Sequence, residues 1–160
     1  MVSHGTEEAI DRLVGTYGDM LLRLAASRLS SAADAEDAVQ EAFLYLLEHG
    51  VTFRDAEHEK AWLIRTTLHR ASNMRKRASA RSLPLEEEAV SRAVPDEHSE
   101  LLDAVRALPE KYGAVIHLHY YEGYSMKEIA HILGIPSATV GTRLARGRDL
   151  LRRALKEDAE

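Results

Sequence analysis

The chain has 160 residues, of which 45% are apolar and 29% are charged, so it can form one ordinary domain or two small ones. It contains no cysteine, which excludes disulfides and cysteine-based zinc sites and fits an intracellular location. Carboxylates already occur at Glu7, Glu8 and Asp11, which is unlike a signal peptide. No apolar run approaches the roughly 20 residues that a membrane span requires. We therefore expect a cytoplasmic protein without membrane insertion.

The formal net charge of −5 argues against a nucleic-acid-binding protein, but the charges are segregated along the chain. Seven cations and no carboxylate lie between Lys60 and Ser82. The sign reverses between Leu83 and Leu101, where six carboxylates face one arginine. It reverses again between Thr142 and Lys156, where six cations face one aspartate. Two basic segments therefore flank an acidic one.

Apolar residues at helical spacing predict three helices in the first part of the chain. The first carries a stripe formed by Ile10, Leu13, Val14, Tyr17, Leu21, Leu24 and Ala25. The second begins near Asp34, ends at Gly50 and buries Val39, Phe43, Leu46 and Leu47. A polar connection over Val51–Glu59 leads to the third helix, from about Lys60 to about Arg77, and no strand alternation is present.

Two prolines and many acids interrupt the periodicity over Leu83–Ser99, so we expect a flexible acidic linker there. Beyond it, one helix is predicted from Leu101, Leu102, Val105 and Leu108. Pro109 suits the first turn of the next helix, which would end at Gly123 and carry Tyr112, Val115, Ile116 and Tyr120 on its apolar face. The predicted fold is all-α, with helical domains at residues 1–81 and 100–160 joined by the linker at residues 82–99.

The most specific stretch, Tyr124–Leu151, has the pattern of a helix-turn-helix. Ser125-Met126-Lys127-Glu128 is a capping box that starts a short helix, and Gly134-Ile135-Pro136 makes a tight turn. Ser137 is expected to cap the next helix, which would bury Val140 and Leu144. Small and basic residues on its outer face would let that helix enter the major groove of DNA. A plain helical hairpin that binds nothing is the alternative interpretation.

Two blocks of the sequence resemble the extracytoplasmic-function (ECF) group of the sigma-70 family of bacterial RNA polymerase sigma factors. Region 4 of that family is similar to Leu108–Tyr112, Gly123–Ala130, Leu133–Pro136, Thr139-Val140 and Arg143-Leu144. Region 2.2 is similar to Asp34–Phe43, and the start of the following promoter-reading helix is similar to Trp62–Arg65. The blocks follow the family's order, and the resemblance covers about Ile10–Arg77 and Leu101–Lys156.

The resemblance implies a transcription initiation factor that binds core RNA polymerase and directs it to specific promoters. In the family, region 2, a helical bundle, docks on the clamp helices of the β′ subunit and reads the −10 promoter element. Region 4 binds the −35 element and the β-flap, and the linker runs through the polymerase cleft. An anti-sigma factor is a frequent further partner, and no cofactor is implied.

The resemblance also implies which residues meet each partner. Core polymerase would contact Asp37, Gln40, Glu41 and Leu44. The −10 element would be met by Arg65, His69, Asn73, Arg75, Lys76 and Arg77. The −35 element would be met by His119, Ser137, Thr139, Thr142, Arg143 and Arg146. From the helix pattern alone, the face around Asp37 could equally be a solvated surface, although an exposed Leu44 among carboxylates favours a protein-binding one.

Three residues depart from the family's usual pattern. The family often has Asn where this chain has His69, Asp where it has Asn73, and Lys or Arg where it has Gly141. By resemblance His69 lies near a flipped-out base of the −10 element, so the base preference there stays open. Gly141 removes one cation from the second helix of the helix-turn-helix and weakens that helix by about 1 kcal/mol relative to Ala.

Catalytic and metal chemistry find no support in the sequence. The eight histidines do not occur at chelating spacing, and His117 and His119 point to different faces of a helix. Neither a G-x-S-x-G nucleophile motif nor a phosphate loop is present. We therefore expect neither an enzyme nor a metal site. An autonomous helix-turn-helix regulator and a sigma-like adaptor that contacts only proteins stay open; the Asp37–Phe43 block disfavours the regulator, which needs no clamp-binding helix.

Overall fold

The computed structural model describes residues 2–3, 7–80 and 99–159, and most of these are helical. The first half of the fold consists of α1 Glu7–Ala26, α2 Ala32–His49 and α3 Ala56–Ala80. The second half consists of α4 Ser99–Ala107, α5 Glu110–Ile116, a π-helical turn at His117–Tyr121, α6 Met126–Leu133 and α7 Ser137–Ala159. The all-α prediction is confirmed. The predicted linker lies outside the described residues except for Ser99, which begins α4.

Two short extended segments, β1 Val2–Ser3 and β2 Thr52–Phe53, form an antiparallel pair. The sequence predicted no strand, because two residues are too few to show alternation. The predicted polar connection is also too long, since α3 begins at Ala56 and not near Lys60. Asp55 explains the earlier start: its carboxylate accepts the His58 N–H at 2.8 Å, as an N-cap residue does.

The core of the first half lies where α1, α2 and α3 meet. Its fully buried residues include Leu13, Leu21, Leu24, Leu46, Leu63 and Ile64. Gly50 ends α2 at φ 61°, as predicted, and Ser31 caps the start of the helix, slightly before the predicted start near Asp34. Two residues of the predicted stripes are not buried: Val14 is 46% exposed and Leu47 is 39% exposed. The apolar stripes of α1 and α2 are therefore wider than the faces that the two helices bury.

The core of the second half is enclosed by α4 to α7. Its buried residues include Val105, Leu108, Val115, Ile116, Leu118, Ile129, Ile132, Val140 and Leu144. Pro109 precedes α5 as its cap residue and does not occupy the first turn. Tyr120, which the sequence placed on the apolar face, is 52% exposed. It lies in the π-helical turn, where the wider spacing moves side chains to a different face than α-helical spacing predicts.

The two halves pack against each other. Helix α3 lies against α6, and the buried apolar residues of both halves belong to one cluster. Arg28, which follows α1, is 1% exposed and donates to the carbonyls of Val105 and Leu108 in the second half. The halves that the sequence separates by a linker therefore share an interface.

Candidate nucleic-acid interface

The helix-turn-helix begins at a capping box, as predicted. Ser125 Oγ accepts the Glu128 N–H at 3.0 Å, and the Glu128 carboxylate accepts the Ser125 N–H at 3.1 Å. The two bonds satisfy two amide groups that a helix start would otherwise leave without a partner. Hydrogen bonding from Ser125, chiefly from its backbone N–H, holds the pKa of the Glu128 carboxyl below its ordinary value.

The turn between α6 and α7 depends on Gly134 and Pro136. Gly134 ends α6 at φ 67°, a conformation that side chains other than glycine rarely adopt. The Pro136 carbonyl then accepts the N–H groups of Thr139 and Val140 at 3.0 and 3.2 Å, and α7 begins. The prediction that Ser137 caps α7 is wrong, because Ser137 is already the first helical residue. Proline can take the cap position because the helix makes no use of the N–H there.

Four of the predicted −35 residues come together on the outer side of α7. Thr139, Thr142, Arg143 and Arg146 line one open depression with Ala138 of the same helix. We call these five residues the α7 face. Val140 and Leu144, which lie one turn apart on the opposite side, are buried in the core. The two arginines therefore stand on a helix that is fixed by its own core and by the preceding turn.

Lys111 and Tyr112 of α5 line the same depression, although the sequence did not indicate them as DNA-binding residues. A hydrogen bond from Arg146 lowers the pKa of the Tyr112 hydroxyl. Lys111 Nζ lies 5.1 Å from the centre of the Tyr112 ring. Three cations thus converge at one depression. Both residues belong to the Leu108–Tyr112 block, but only the tertiary packing brings that block beside α7.

The other two predicted −35 residues lie outside this depression. His119 is on the π-helical turn, and its Nδ1 donates to the Tyr124 carbonyl at 2.7 Å. Ser137 is exposed at the start of α7. Thr142 does line the depression, but its hydroxyl donates to the Ala138 carbonyl at 3.0 Å, so its proton is used within the helix.

A second basic surface lies on α3. Its depression is lined by Tyr45, Trp62, Arg65, Thr66, His69 and Arg70, which we call the α3 face. Arg65 and His69 were predicted for the −10 element. Asn73, also predicted, places its amide nitrogen 3.3 Å from His69 Nε2, so two departures from the family pattern contact each other. Tyr45 of α2 was not predicted, and its ring centre lies 5.8 Å from that of Trp62.

The last three predicted −10 residues have different environments. Lys76 and Arg77 are exposed near the end of α3. Arg75 Nη1 lies 3.0 Å from Glu110 Oε1 of the second half, and both atoms are buried. Arg75 is therefore engaged in an ion pair between the halves. No local pattern in the sequence indicates this pair, because the two residues are far apart in the chain.

A third surface is an apolar groove between α1 and α2. It includes Gln40 and Leu44, two of the predicted polymerase-binding residues, and we call it the α1–α2 groove. Its exposed apolar residues are Val14, Leu22, Leu44 and Leu47. An exposed apolar groove of this kind is a candidate interaction site. Asp37 is exposed on α2, and Glu41 is half-buried 4.0 Å from Arg70.

Among the described residues, no group of three or more His, Asp or Glu side chains is placed to hold a metal ion. None of the helices described is long and apolar enough to cross a membrane.

The fold and these surfaces define a helix-turn-helix DNA-binding protein with a second helical half. Residues 13–81 match the family model of sigma-70 region 2, and residues 98–156 match that of sigma-70 region 4. The ECF RNA polymerase sigma factor SigW of Bacillus subtilis is 30% identical over 98% of this chain and 94% of that protein. RNA polymerase sigma factor SigV of the same organism is 35% identical over 85% of each chain. The chain belongs to the sigma-70 family, in its ECF group, and is a transcription initiation factor that directs RNA polymerase to promoters.

Solved structures share this fold. The sigma factor RpoE of Bartonella quintana, in complex with the anti-sigma factor NepR, aligns with a TM-score of 0.73 and 24% identity over 91% of this chain and 96% of that one. CnrH, in complex with the cytosolic domain of CnrY, aligns with a TM-score of 0.70 and 26% identity over 96% of this chain and 92% of that one.

Proposed function

We propose that this sigma factor binds core polymerase through α2 and the α1–α2 groove, meets the −10 element with the α3 face and reads the −35 element with the α7 face. The observation that carries the proposal is the convergence of Arg143, Arg146 and Lys111 at one open depression on a capped helix-turn-helix. A plain helical hairpin that binds nothing has no need of three cations around one depression.

At the −35 element, Arg143 and Arg146 are proposed to reach base edges or phosphates from the major groove, since they lie three residues apart on one helix face. Tyr112 lines the same depression as Arg146, and Lys111 is proposed as a phosphate contact there. Ser137, which is exposed at the start of α7, is proposed to contact a second phosphate. His119 keeps only Nε2 for DNA, because Nδ1 is engaged with Tyr124.

At the −10 element, Arg65, Lys76 and Arg77 are proposed to contact the DNA backbone, while His69 and Asn73 act together. When Asn73 donates to His69 Nε2, the neutral ring carries its proton on Nδ1. His69 then presents a hydrogen-bond donor where the family often has asparagine. The rings of Tyr45 and Trp62 in the same depression are suited to stack on an unpaired base.

Core polymerase is proposed to bind Asp37, Gln40, Glu41 and Leu44, with the β′ clamp helices as the partner on the family pattern and the β-flap as the partner of the second half. Reversing the charges of Asp37 and Glu41 to lysine should weaken association with core polymerase while leaving helicity unchanged. The matched control is Glu48→Lys, an exposed position on the same helix. Equal binding of all variants in a pull-down would contradict the assignment.

We further propose that this protein has an anti-sigma partner. Two proteins of similar fold support this: RpoE is bound to the anti-sigma factor NepR, and CnrH is bound to the cytosolic domain of CnrY. The domain limits of 1–81 and 100–160 with a linker at 82–99 also stay proposals. Family matches that end at residue 81 and resume at residue 98 support them. The protein is proposed to act in the cytoplasm by binding alone, without catalysis.

The experiment that tests the function is transcription in vitro from a randomised promoter library by core polymerase that lacks a sigma factor. Addition of the protein should select a family of promoters with shared −10 and −35 sequences, and core polymerase alone should select none. The protein without polymerase should bind the selected DNA weakly. Tight sequence-specific binding that needs no polymerase would favour the autonomous regulator.

A further inference from the structure

Gly141, in the second turn of α7, is a glycine whose presence the protein core does not explain. Glycine weakens a helix interior relative to alanine, so its presence there needs a reason. At Gly147 of the same helix the core provides one, because an added Cβ atom would lie 2.8 Å from Ile116 Cγ1. At Gly141 an added Cβ atom would instead lie 3.2 Å from Cε of Met126. Met126 is 40% exposed, so this neighbour belongs to the surface of the protein.

The side chain of Met126 connects the two helices of the helix-turn-helix. Met126 is the first residue of α6, directly after the Ser125 cap. Its terminal methyl group lies over α7 at Gly141. Carbon atoms in contact are most favourably about 3.5–4.0 Å apart, so a side chain at position 141 would push this methyl group away. The glycine therefore allows Met126 to lie against α7, and we call this arrangement the Met126–Gly141 contact.

The Met126–Gly141 contact lies beside the outer surface of α7. Val140 and Leu144 are buried, and successive residues of an α-helix are about 100° apart around its axis. Gly141 is therefore on one flank of the helix, and Thr139 and Arg143 of the α7 face are on the other. The exposed residues between these flanks are Ala138, Thr142 and Ala145. Because residues near the start of the second helix of a helix-turn-helix contact base edges, Met126 lies beside the part of α7 suited to the major groove.

The departure from the family pattern at Gly141 changes the chemistry of this flank. Where the family often has Lys or Arg, this chain has no charge and places the thioether side chain of Met126 over the helix. Glycine also lets the helix backbone approach a ligand closely. The apolar group that base pairs present in the major groove is the 5-methyl group of thymine. A flexible, polarizable methionine side chain is suited to contact that group.

We propose that Met126, held over Gly141, is a specificity-determining residue of −35 recognition that contacts the 5-methyl group of a thymine in the major groove. The proposal rests on the proposed function, in which the α7 face reads the −35 element. Arg143 and Arg146 supply an attraction that depends on salt, because contacts with phosphates release counterions. Met126 adds a contact without charge, so its contribution to discrimination between bases is insensitive to salt.

The test replaces single thymines of the selected −35 element by uracil in promoter DNA that is titrated with holoenzyme, the complex of this protein with core polymerase. Uracil lacks the 5-methyl group of thymine but keeps its hydrogen-bonding atoms. At one position the unchanged protein should lose affinity by about fourfold, as expected for one methyl group that is no longer buried. Met126→Ala should bind the thymine and uracil promoters equally at that position. The matched control is His131→Ala, an exposed position on the same helix, which should keep the full preference for thymine.

Three outcomes would contradict the proposal in different ways. If Met126→Ala lowers the affinity for both promoters and keeps the preference for thymine, Met126 only packs α6 against α7, and the proposal is overturned. The proposal is also overturned if the unchanged protein selects a −35 sequence but binds thymine and uracil equally at each of its positions. A selection that yields no −35 sequence at all would contradict the proposed function and, with it, this proposal.

Gly141→Arg provides an independent test. The arginine would displace Met126 and restore a cation, so the preference for thymine should disappear. At the same time the slope of log affinity against log salt should steepen by about 0.9, as expected for one additional phosphate contact. Met126→Ala should leave this slope unchanged, because it removes no charge, and circular dichroism checks that both variants retain their helicity. A preference for thymine that persists in Gly141→Arg would overturn the proposed role of the Met126–Gly141 contact.

Discussion

The two basic helices α3 and α7 differ in how the rest of the chain engages their predicted DNA-binding residues. The α7 face lines an open depression, and its arginines lie beside Lys111. Helix α3 carries one more predicted DNA-binding residue than α7, yet its Arg75 is paired with Glu110 and α6 lies against the helix. The comparison shows that the availability of a basic side chain depends on the contacts that the rest of the chain makes with it. From composition alone, the basic residues of both helices would have been expected to be equally available to DNA.

The largest effect is expected when the core beneath the α7 face is removed. Leu144 is 1% exposed, so Leu144→Ala should lower the free energy of unfolding by about 2–5 kcal/mol, through lost burial and the cavity that remains. Leu44→Ala is the matched control, since Leu44 is 51% exposed and surface changes usually stay within about 0.5 kcal/mol. Urea denaturation measures both. A small loss for Leu144→Ala would mean that the α7 face does not depend on this core.

The next largest effect concerns promoter binding through the α7 face. Arg143→Ala or Arg146→Ala should weaken promoter binding by the holoenzyme by about 1–3 kcal/mol where a base contact is lost. Arg152→Ala, on the same helix but outside the depression, should have a smaller effect. A titration with promoter DNA at fixed salt provides the measurement. Equal losses for all three arginines would show that only the overall charge of α7 matters.

Acid should loosen the contacts between the halves. Burial alone would raise the pKa of Glu122, but hydrogen bonds from His117 and Arg23 lower this pKa from 4.5 to about 2. Tyr124 is the other titratable neighbour of Glu122. A folded-state pKa below the unfolded value means that this stabilisation is complete above pH 4.5 and is lost as the pH falls towards 2. Thermal unfolding of Glu122→Gln should therefore depend less on pH in that window than the unchanged protein does. Glu48→Gln, at an exposed position, is the control, and parallel pH profiles for both variants would exclude a special role for Glu122.

The smallest effect concerns the ion pair that engages Arg75. Glu110→Gln should change the free energy of unfolding by less than about 1 kcal/mol, because both side chains remain partly exposed. It should nevertheless release Arg75 and modestly increase binding of the unbound protein to single-stranded −10 DNA. Fluorescence anisotropy with that strand measures the gain, and Glu48→Gln again serves as the control. Unchanged binding would indicate that the ion pair does not limit access to α3.

Local sequence patterns predicted the elements well where the signal lies within a few residues. The capping box at Ser125, the helix end at Gly50 and the helix-turn-helix could each be read from short stretches, because caps and turns act over one helical turn. The convergence of Thr139, Thr142, Arg143 and Arg146 on one side of α7 follows from helical periodicity in the same way.

What the sequence could not predict depends on contacts between distant segments. Val14 and Leu47 fit apolar stripes, but α1 and α2 meet along a narrower line and leave both residues at the α1–α2 groove. The contacts of Tyr112 with Arg146 and of Glu110 with Arg75 form only when the helices pack together. Tyr120 was misplaced for a local reason, since a π-helical turn changes the spacing that the prediction assumed.

The space above Gly113 links two positions that are far apart in the chain. With Arg28 in its observed position, a Cβ atom at position 113 would collide with the guanidinium, so one of the two side chains would have to move. The two positions should therefore covary among sigma factors whose halves pack in this way, with arginine at the first accompanied by glycine at the second. Sequences that carry alanine or a larger residue at the second position should lack the arginine, so the pair would serve as a sequence marker for members of the group whose halves pack in this way.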